Sequence, residues 1–144
     1  MPEVARTAYQ MISGMTPVLQ PGNFVFVTTQ DPALVTTLFP HAIATVKEDE
    51  GMSMVIPVEL AKKSNLNADH PMRCITLNVY SSLEGIGLTA AVSAALGDNG
   101  IPCNMVAAFH HDHVFLPAEL CDQAMMTLIA LQNSVAGHVS SKDG

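Results

Sequence analysis

Residues 81–117 read SSLEGIGLTAAVSAALGDNGIPCNMVAAFHHDHVFLP, which joins a glycine-containing loop, an alanine-rich segment and a cluster of histidines. The alanine-rich segment predicts a helix, and a Gly-Asp-Asn-Gly run predicts its end. Two apolar runs after it predict strands that are joined across the histidines. The predicted elements are a helix over 88–96 and strands over 104–109 and 113–116.

The neighbouring segments extend this stretch into the order strand–helix–strand–strand–helix. Upstream, 73–80 alternates apolar and polar residues, which predicts a half-buried strand. Downstream, 118–135 carries leucines and alanines at helical spacing. The first half of the chain has the same order after a loop marked by Pro17, Pro21 and Gly22. Its predicted strands are 23–28, 42–47 and 53–58, and its predicted helices are 32–39 and 59–66.

This repeated order predicts an α+β protein made of two ferredoxin-like halves. A ferredoxin-like unit is βαββαβ, so each half lacks its final strand. Strand exchange between the halves would supply it, with a strand near Phe24 or Arg73 completing the neighbouring sheet. The polar loop 67–71 is the predicted boundary, which gives an N-terminal half over 1–70 and a C-terminal half over 71–144.

The composition narrows the possible partners of the chain. Six Lys and Arg face 13 Asp and Glu, for a formal net charge of −7. A nucleic-acid binder needs a cationic surface, and an anionic membrane surface also attracts basic residues. The sequence therefore predicts no nucleic-acid partner and no membrane association, and it has no apolar run long enough to span a bilayer. The three cysteines form no CxxC pair, and cytoplasmic localisation is the simplest prediction.

The loop ahead of the predicted helix is the main candidate for ligand binding. Backbone N–H groups at a helix N-terminus have no partner within the helix and carry partial positive charge. Gly85 and Gly87 have no side chain to block the approach of a carboxylate, and Glu84 could contact an α-amino group. Asn104, on the neighbouring strand, offers a donor and an acceptor. The alternative is that Ser82 simply caps the helix and the glycines form a tight turn.

The HHDH segment at 110–113 has two further interpretations. Imidazole and carboxylate groups are good ligands for Zn²⁺, Ni²⁺ or Cu²⁺. If the turn centres on residues 111 and 112, His110 and His113 come close across the hairpin and make weak metal candidates. Asp112 equally suits a turn, because its side chain can bond the backbone. The segment is expected to be a structural turn first, an effector contact second and a metal site last.

Catalysis is not predicted. The chain contains no GxSxG, HExxH or phosphate-loop motif. Cys103 and Cys121 lie in apolar runs, where cysteine is usually a packing residue. The acidic run 48–50 is expected to be a solvated turn. No catalytic residue, cofactor or resident metal is therefore predicted.

The segment LNVYSSLEGIGLTAAVSAALGDNGIPCNMVAAFHHDHVFLP resembles small bacterial proteins built from two ACT-type domains. These are relatives of the regulatory region of aspartate kinases and of cytosolic amino-acid sensors. The resemblance covers 73–135, and a weaker one covers 16–58 through MTPVLQPGNFVFVTT and EDEGMSMVIP. It implies the βαββαβ fold, pairing of domains side by side, and a small effector held at the loop after the first strand and the neighbouring strand.

Residues and resemblance together predict a non-catalytic regulatory protein that binds a small effector, an amino acid, and forms a homodimer or a higher homo-oligomer. The alternatives are a sheet-mediated oligomerisation module without a ligand and, third, a small metal-binding or catalytic protein that uses the HHDH segment. A Gly87→Asp variant is expected to abolish binding and to leave the fold intact. The predicted contact residues are Ser82, Leu83, Glu84, Gly85, Ile86, Gly87, Leu88, Asn104 and Met105.

Overall fold

The alternation of β-formers and short polar turns produces an antiparallel α+β fold. The computed structural model describes residues 12, 14–78 and 87–143. Short 3₁₀ turns occupy Phe39–His41 and Ala118–Leu120. The other elements are β1 (Thr16–Leu19), β2 (Phe24–Thr29), α1 (Pro32–Leu38), β3 (Ala44–Glu48), β4 (Gly51–Pro57), α2 (Val58–Lys63), β5 (Met72–Asn78), α3 (Leu88–Asp98), β6 (Asn104–Ala107), β7 (Asp112–Pro117) and α4 (Cys121–Asp143).

The chain forms two units, and the prediction of two ferredoxin-like halves is confirmed. The N-terminal unit is Pro21–Arg73. The C-terminal unit combines the described residues up to Gln20 with those from Cys74 onward. Strand β5 runs from one unit into the other, since its first two residues belong to the N-terminal unit. The boundary at residues 70 and 71 stays a prediction.

The N-terminal unit has the strand order β3–β4–β2, followed by the start of β5, where Met72 lies opposite Phe24. Helix α1 begins at Asp31, whose carboxylate accepts a hydrogen bond from Ala33 N–H over 3.0 Å, as an N-cap should. One face of the sheet packs on α1 and α2. The buried residues of this core are Val25, Val27, Leu38, Met54, Ile56, Val58 and Ala61.

The C-terminal unit has the strand order β1–β5–β7–β6. Because side chains alternate along a strand, Ile75 and Leu77 of β5 share one face with Val114 and Leu116 of β7. Helices α3 and α4 pack on that face. The buried core residues are Ile12, Met15, Ile75, Leu77, Leu88, Val92, Leu96, Ile101, Val114, Leu116, Cys121, Ala124 and Leu128.

Strand β1 corrects the prediction that Pro17 belongs to a loop. Residues Thr16–Leu19 pair antiparallel with β5, with Val18 opposite Thr76. Proline cannot donate to a ladder, which confines it to edge strands. Within the described chain β1 pairs with β5 alone, so Pro17 lies where a proline is tolerated. The strand that completes the C-terminal unit is thus β1, and not a strand near Phe24.

The described helices include none that is long and apolar enough to cross a membrane.

Candidate functional site

The last residues of the predicted ligand loop lead directly into α3. Gly87 is the N-cap residue, with a φ of 111°, and its carbonyl accepts a hydrogen bond from Ala91 N–H over 2.9 Å. Leu88 is buried in the core of the C-terminal unit. A φ in this range favours glycine, because a Cβ would crowd the backbone. Ser82, Leu83, Glu84, Gly85 and Ile86 lie outside the described residues.

The conformation of Gly87 adds a backbone cost to the Gly87→Asp variant, and the expectation that this variant keeps its fold stays a prediction. Any side chain at this position must adopt a strained backbone conformation. The Gly87→Asp variant adds both this backbone strain and a negative charge. A Gly87→Ala variant adds the strain without the charge. A useful binding test therefore compares the two variants.

The two predicted strand contacts face opposite sides of β6. Met105 pairs with Val114 and packs against the core of the C-terminal unit. Asn104 pairs with Phe115, so its side chain lies on the face away from that core. Asn104 is exposed. Of these two residues, Asn104 is the one with a polar side chain open to solvent.

A polar network on the same side of the sheet was missed in the sequence. Thr76 of β5 is only 5% exposed, although it is polar. Its Oγ1 lies 2.9 Å from Gln20 Nε2 and 2.9 Å from His113 Nδ1. The Gln20 amide donates to Thr76 Oγ1. All three groups are satisfied when the Thr76 hydroxyl in turn donates to Nδ1 of His113. The neutral His113 ring then carries its proton on Nε2.

The burial of this region shifts the pKa values of its ionisable groups. Burial lowers the pKa of His113, the nearby His111 lowers it further, and the charge of Asp112 works against both. Burial also raises the pKa of Asp112, against the opposing effect of His113 and His111. His113 is therefore a neutral hydrogen-bonding group at pH 7.

Cys74 lies two residues before Thr76 on β5 and is buried. Burial raises the pKa of its thiol, while a side-chain hydrogen bond between Cys74 and Thr76 acts in the opposite direction. A thiol with a raised pKa is a poor nucleophile. Of the two cysteines that were expected to be packing residues, Cys121 is buried and Cys103 is partly buried.

The geometry of the HHDH segment differs from the predicted hairpin. Val106 pairs with His113 and Ala107 with Asp112, and Ala108 N–H donates to the His111 carbonyl over 3.1 Å. The turn is thus centred earlier than residues 111 and 112, so His110 is not opposite His113. His110 is exposed and stacks edge-on against Phe109, with ring centroids 5.1 Å apart.

The described residues contain no group of three or more His, Cys, Asp or Glu side chains that could hold a metal ion. His113 uses Nδ1 to bond Thr76, and His110 lies in the turn. The register of the hairpin does not place these two weak metal candidates opposite each other.

Two family models match the chain. Residues 9–73 match one ACT domain model and residues 69–130 match another. None of the curated proteins matches the chain.

Solved structures share the fold over about four fifths of the chain. A protein of unknown function from Vibrio cholerae, described as a possible transport protein, is 34% identical with a TM-score of 0.74. That alignment covers 84% of this chain and 93% of the other. An Agrobacterium tumefaciens protein is 16% identical, with a TM-score of 0.63 and coverages of 82% and 89%. The ligand-free regulatory subunit of aspartate kinase from Thermus thermophilus is 12% identical, with a TM-score of 0.53 and coverages of 82% and 97%. At these identities the last two show a common fold.

Proposed function

Because the chain belongs to the ACT-domain family and carries two such domains in tandem, we propose that it binds a small effector, an amino acid, and acts as a regulatory protein without catalysis. ACT domains are commonly regulatory ligand-binding modules. The raised pKa of the Cys74 thiol supports a non-catalytic role. The division of the chain into ACT-like halves at residues 70 and 71 is part of the proposal. It is supported by the two family matches, which overlap at 69–73.

The proposed effector site is the loop 82–88 together with Asn104 and Met105. The observation that carries it is the left-handed backbone at Gly87, directly at the start of the eleven-residue helix α3. A glycine N-cap has no side chain that could bond the first N–H groups of the helix, which favours a carboxylate ligand there. Asn104 supplies the exposed polar side chain, and Met105 supports the strand from the core side.

The strength of such a site follows from its few polar contacts. A charge-assisted hydrogen bond contributes about 1.5–3 kcal/mol before desolvation. Two or three of them give affinities from micromolar to millimolar, about −4 to −8 kcal/mol in total. A sensor of a metabolite operates in that range when its ligand is abundant.

Calorimetry with each of the twenty amino acids tests the proposal. We expect heat from one or a few of them with the native chain, weaker binding with Gly87→Ala, and none with Gly87→Asp. The alanine variant measures the cost of strain, so the difference between the two variants reports the charge placed against the carboxylate. Absence of heat from every amino acid contradicts the proposal. Equal affinity in the two variants moves the site elsewhere.

The second proposal is a homodimer formed through the edge of β3. Among the described strands, β3 pairs with β4 alone, and four of its five residues are exposed. Val46 is 60% exposed. An antiparallel pair of β3 strands centred on Val46 places Lys47 opposite Thr45 and Glu48 opposite Ala44, so no like charges meet. Light scattering tests it, because a monomer at all concentrations excludes this assembly.

We also propose that the protein functions in the cytoplasm, without a cofactor and without nucleic-acid or membrane partners. Cys74, Cys103 and Cys121 are free thiols, which a reducing compartment maintains. The acidic balance of the chain disfavours polyanionic partners. Fractionation of cells that express the untagged protein tests the location.

A further inference from the structure

A cleft of about 530 Å³ lies at one end of the N-terminal unit, where β2 begins, β4 passes into α2, and β5 begins. This volume falls within the range of small-molecule sites. Its interior is apolar, because Phe24 and Val58 are buried there and Pro57 and Pro71 are half-buried beside them. None of these residues belongs to the proposed effector site around Gly87.

A backbone hydrogen bond and two prolines restrain the walls of the cleft. Val58 N–H donates to the Asn23 carbonyl over 3.0 Å, which ties the start of α2 to the entry of β2. Pro57 and Pro71 have a fixed φ and no N–H group. A cavity with such walls loses little conformational freedom when it takes up a ligand.

Two opposite charges lie at the rim of this apolar cavity. Glu59 and Lys62 both line the cleft and are exposed, and they stand three residues apart on α2. Side chains at this spacing are neighbours on one face of a helix. Glu59 therefore attracts a cation and Lys62 an anion, at neighbouring positions of the same rim.

We propose that this cleft is a second ligand site, for a compact zwitterion with an aliphatic substituent. The ammonium group of the ligand meets Glu59, its carboxylate meets Lys62, and its aliphatic group lies against Phe24 and Val58. A purely anionic or purely cationic ligand meets one like charge and gains less. A zwitterion without the aliphatic group leaves the apolar wall unused.

Four matched probes separate these contributions: leucine, leucinamide, 4-methylpentanoate and glycine. They are titrated into the ¹⁵N-labelled full chain, and amide shifts are followed at Gly22, Asn23 and Glu59. We expect leucine at millimolar concentration to move these signals, and each other probe to move them less. Leucine that leaves all three signals unmoved overturns the proposal, as does glycine that matches leucine.

Matched variants test the two rim charges. We expect Glu59→Gln and Lys62→Met each to weaken leucine binding at the cleft about fivefold, as loss of an exposed charge contact should. Lys63→Met removes the same charge from a residue that does not line the cleft, and we expect no change. An equal effect of Lys62→Met and Lys63→Met overturns the site.

The same spectra separate this proposal from the effector site. Leucine shifts that are confined to Gly87 and Ala91 support the effector site and overturn the cleft. Shifts at Gly22 and Asn23 that persist in the Gly87→Asp variant support the cleft as an independent site, whatever happens at Gly87.

Discussion

Thr76 shows how a single buried hydroxyl can organise ionisable neighbours. It accepts a hydrogen bond from Gln20 and reaches His113, so residues from three strands or strand ends meet at one oxygen atom. A buried hydroxyl without hydrogen-bond partners costs free energy, and the Thr76 hydroxyl has two partners, Gln20 and His113. Burial favours the neutral form of His113, so the C-terminal unit has a titrating group whose protonation disturbs this network.

The lowered pKa of His113 predicts a loss of stability at mildly acidic pH. The unfolded chain binds the proton near pH 6.5, and the folded chain binds it only at lower pH. Protons therefore favour unfolding as the pH falls from 7 through that window. We expect the free energy of unfolding in urea to fall more between pH 7 and 5.5 for the native chain than for His113→Asn, which keeps an amide near the Nδ1 position.

His110→Asn is the control for this prediction, because His110 is an exposed histidine in the adjacent turn. We expect it to keep the native pH dependence. Asp112 has a raised pKa, so uptake of its proton favours the folded chain, with the opposite sign, as the pH falls toward its own lower range. Equal pH dependence of the native chain and His113→Asn would contradict the assignment.

The sequence could not predict the Thr76 network, because it depends on register. Thr76 reads as an ordinary polar position of an alternating strand, and Gln20 falls in a stretch that the prolines mark as a loop. Only the pairing of β1 with β5 brings Gln20 to Thr76. The start of α3 at Leu88, in contrast, was predicted, because the helical spacing that marks it is local and needs no partner strand.

At the scale of elements, the sequence predicts helices and strands that have a local signal. It does not predict those whose position depends on pairing with another strand. The alternation in residues 73–80 predicted β5, and the predicted helix over 32–39 begins at the same residue as α1, since both patterns are local. Strand β1 was missed because Pro17 argues against a central strand, and only the tertiary pairing shows that β1 is at an edge. The turn of the β6–β7 hairpin was predicted too late in the sequence for the same reason, because the register of a hairpin is set by its two strands together.

The exposed edge strand β3 predicts a specific effect of charge on assembly. In the proposed dimer, Val46 of one subunit lies opposite the same residue of the other. Val46→Lys places two ammonium groups opposite each other, and we expect at least tenfold weaker dimerisation, roughly 1.4 kcal/mol. Sedimentation at several protein concentrations measures this.

Met126→Lys is the matched control for the β3 edge, because Met126 of α4 is 73% exposed and its substitution adds the same charge. We expect it to leave the dimer intact. A dimer that tolerates Val46→Lys as well as Met126→Lys would place the interface on another surface.

At the scale of the whole molecule, the two units do not follow the order of the chain. Met15 precedes β1, yet it is fully buried in a core otherwise built largely from residues beyond Cys74. The N-terminal unit is the continuous segment between these two parts. Residues near the N-terminus therefore contribute to the stability of the C-terminal unit.

Met15→Ala tests this connection. Removing a fully buried methionine side chain leaves a cavity, and we expect a loss of about 2–5 kcal/mol in the free energy of unfolding. The loss should appear in probes of the C-terminal unit, such as hydrogen exchange at Ile75 and Leu116. Met126→Ala, at an exposed position, should change stability by less than about 0.5 kcal/mol. Unaltered exchange at Ile75 in Met15→Ala would show that the N-terminal segment is dispensable.

The pairing of β1 with β5 has a consequence for synthesis on the ribosome. β1 is translated before β2, but its partner begins only at Met72, and the rest of that sheet is translated later still. At about 5–20 residues per second, β1 waits several seconds for a strand to pair with. During this interval the segment 21–73 already has most of its own strands available. The nascent chain must therefore keep β1 without its native partner until β5 leaves the exit tunnel.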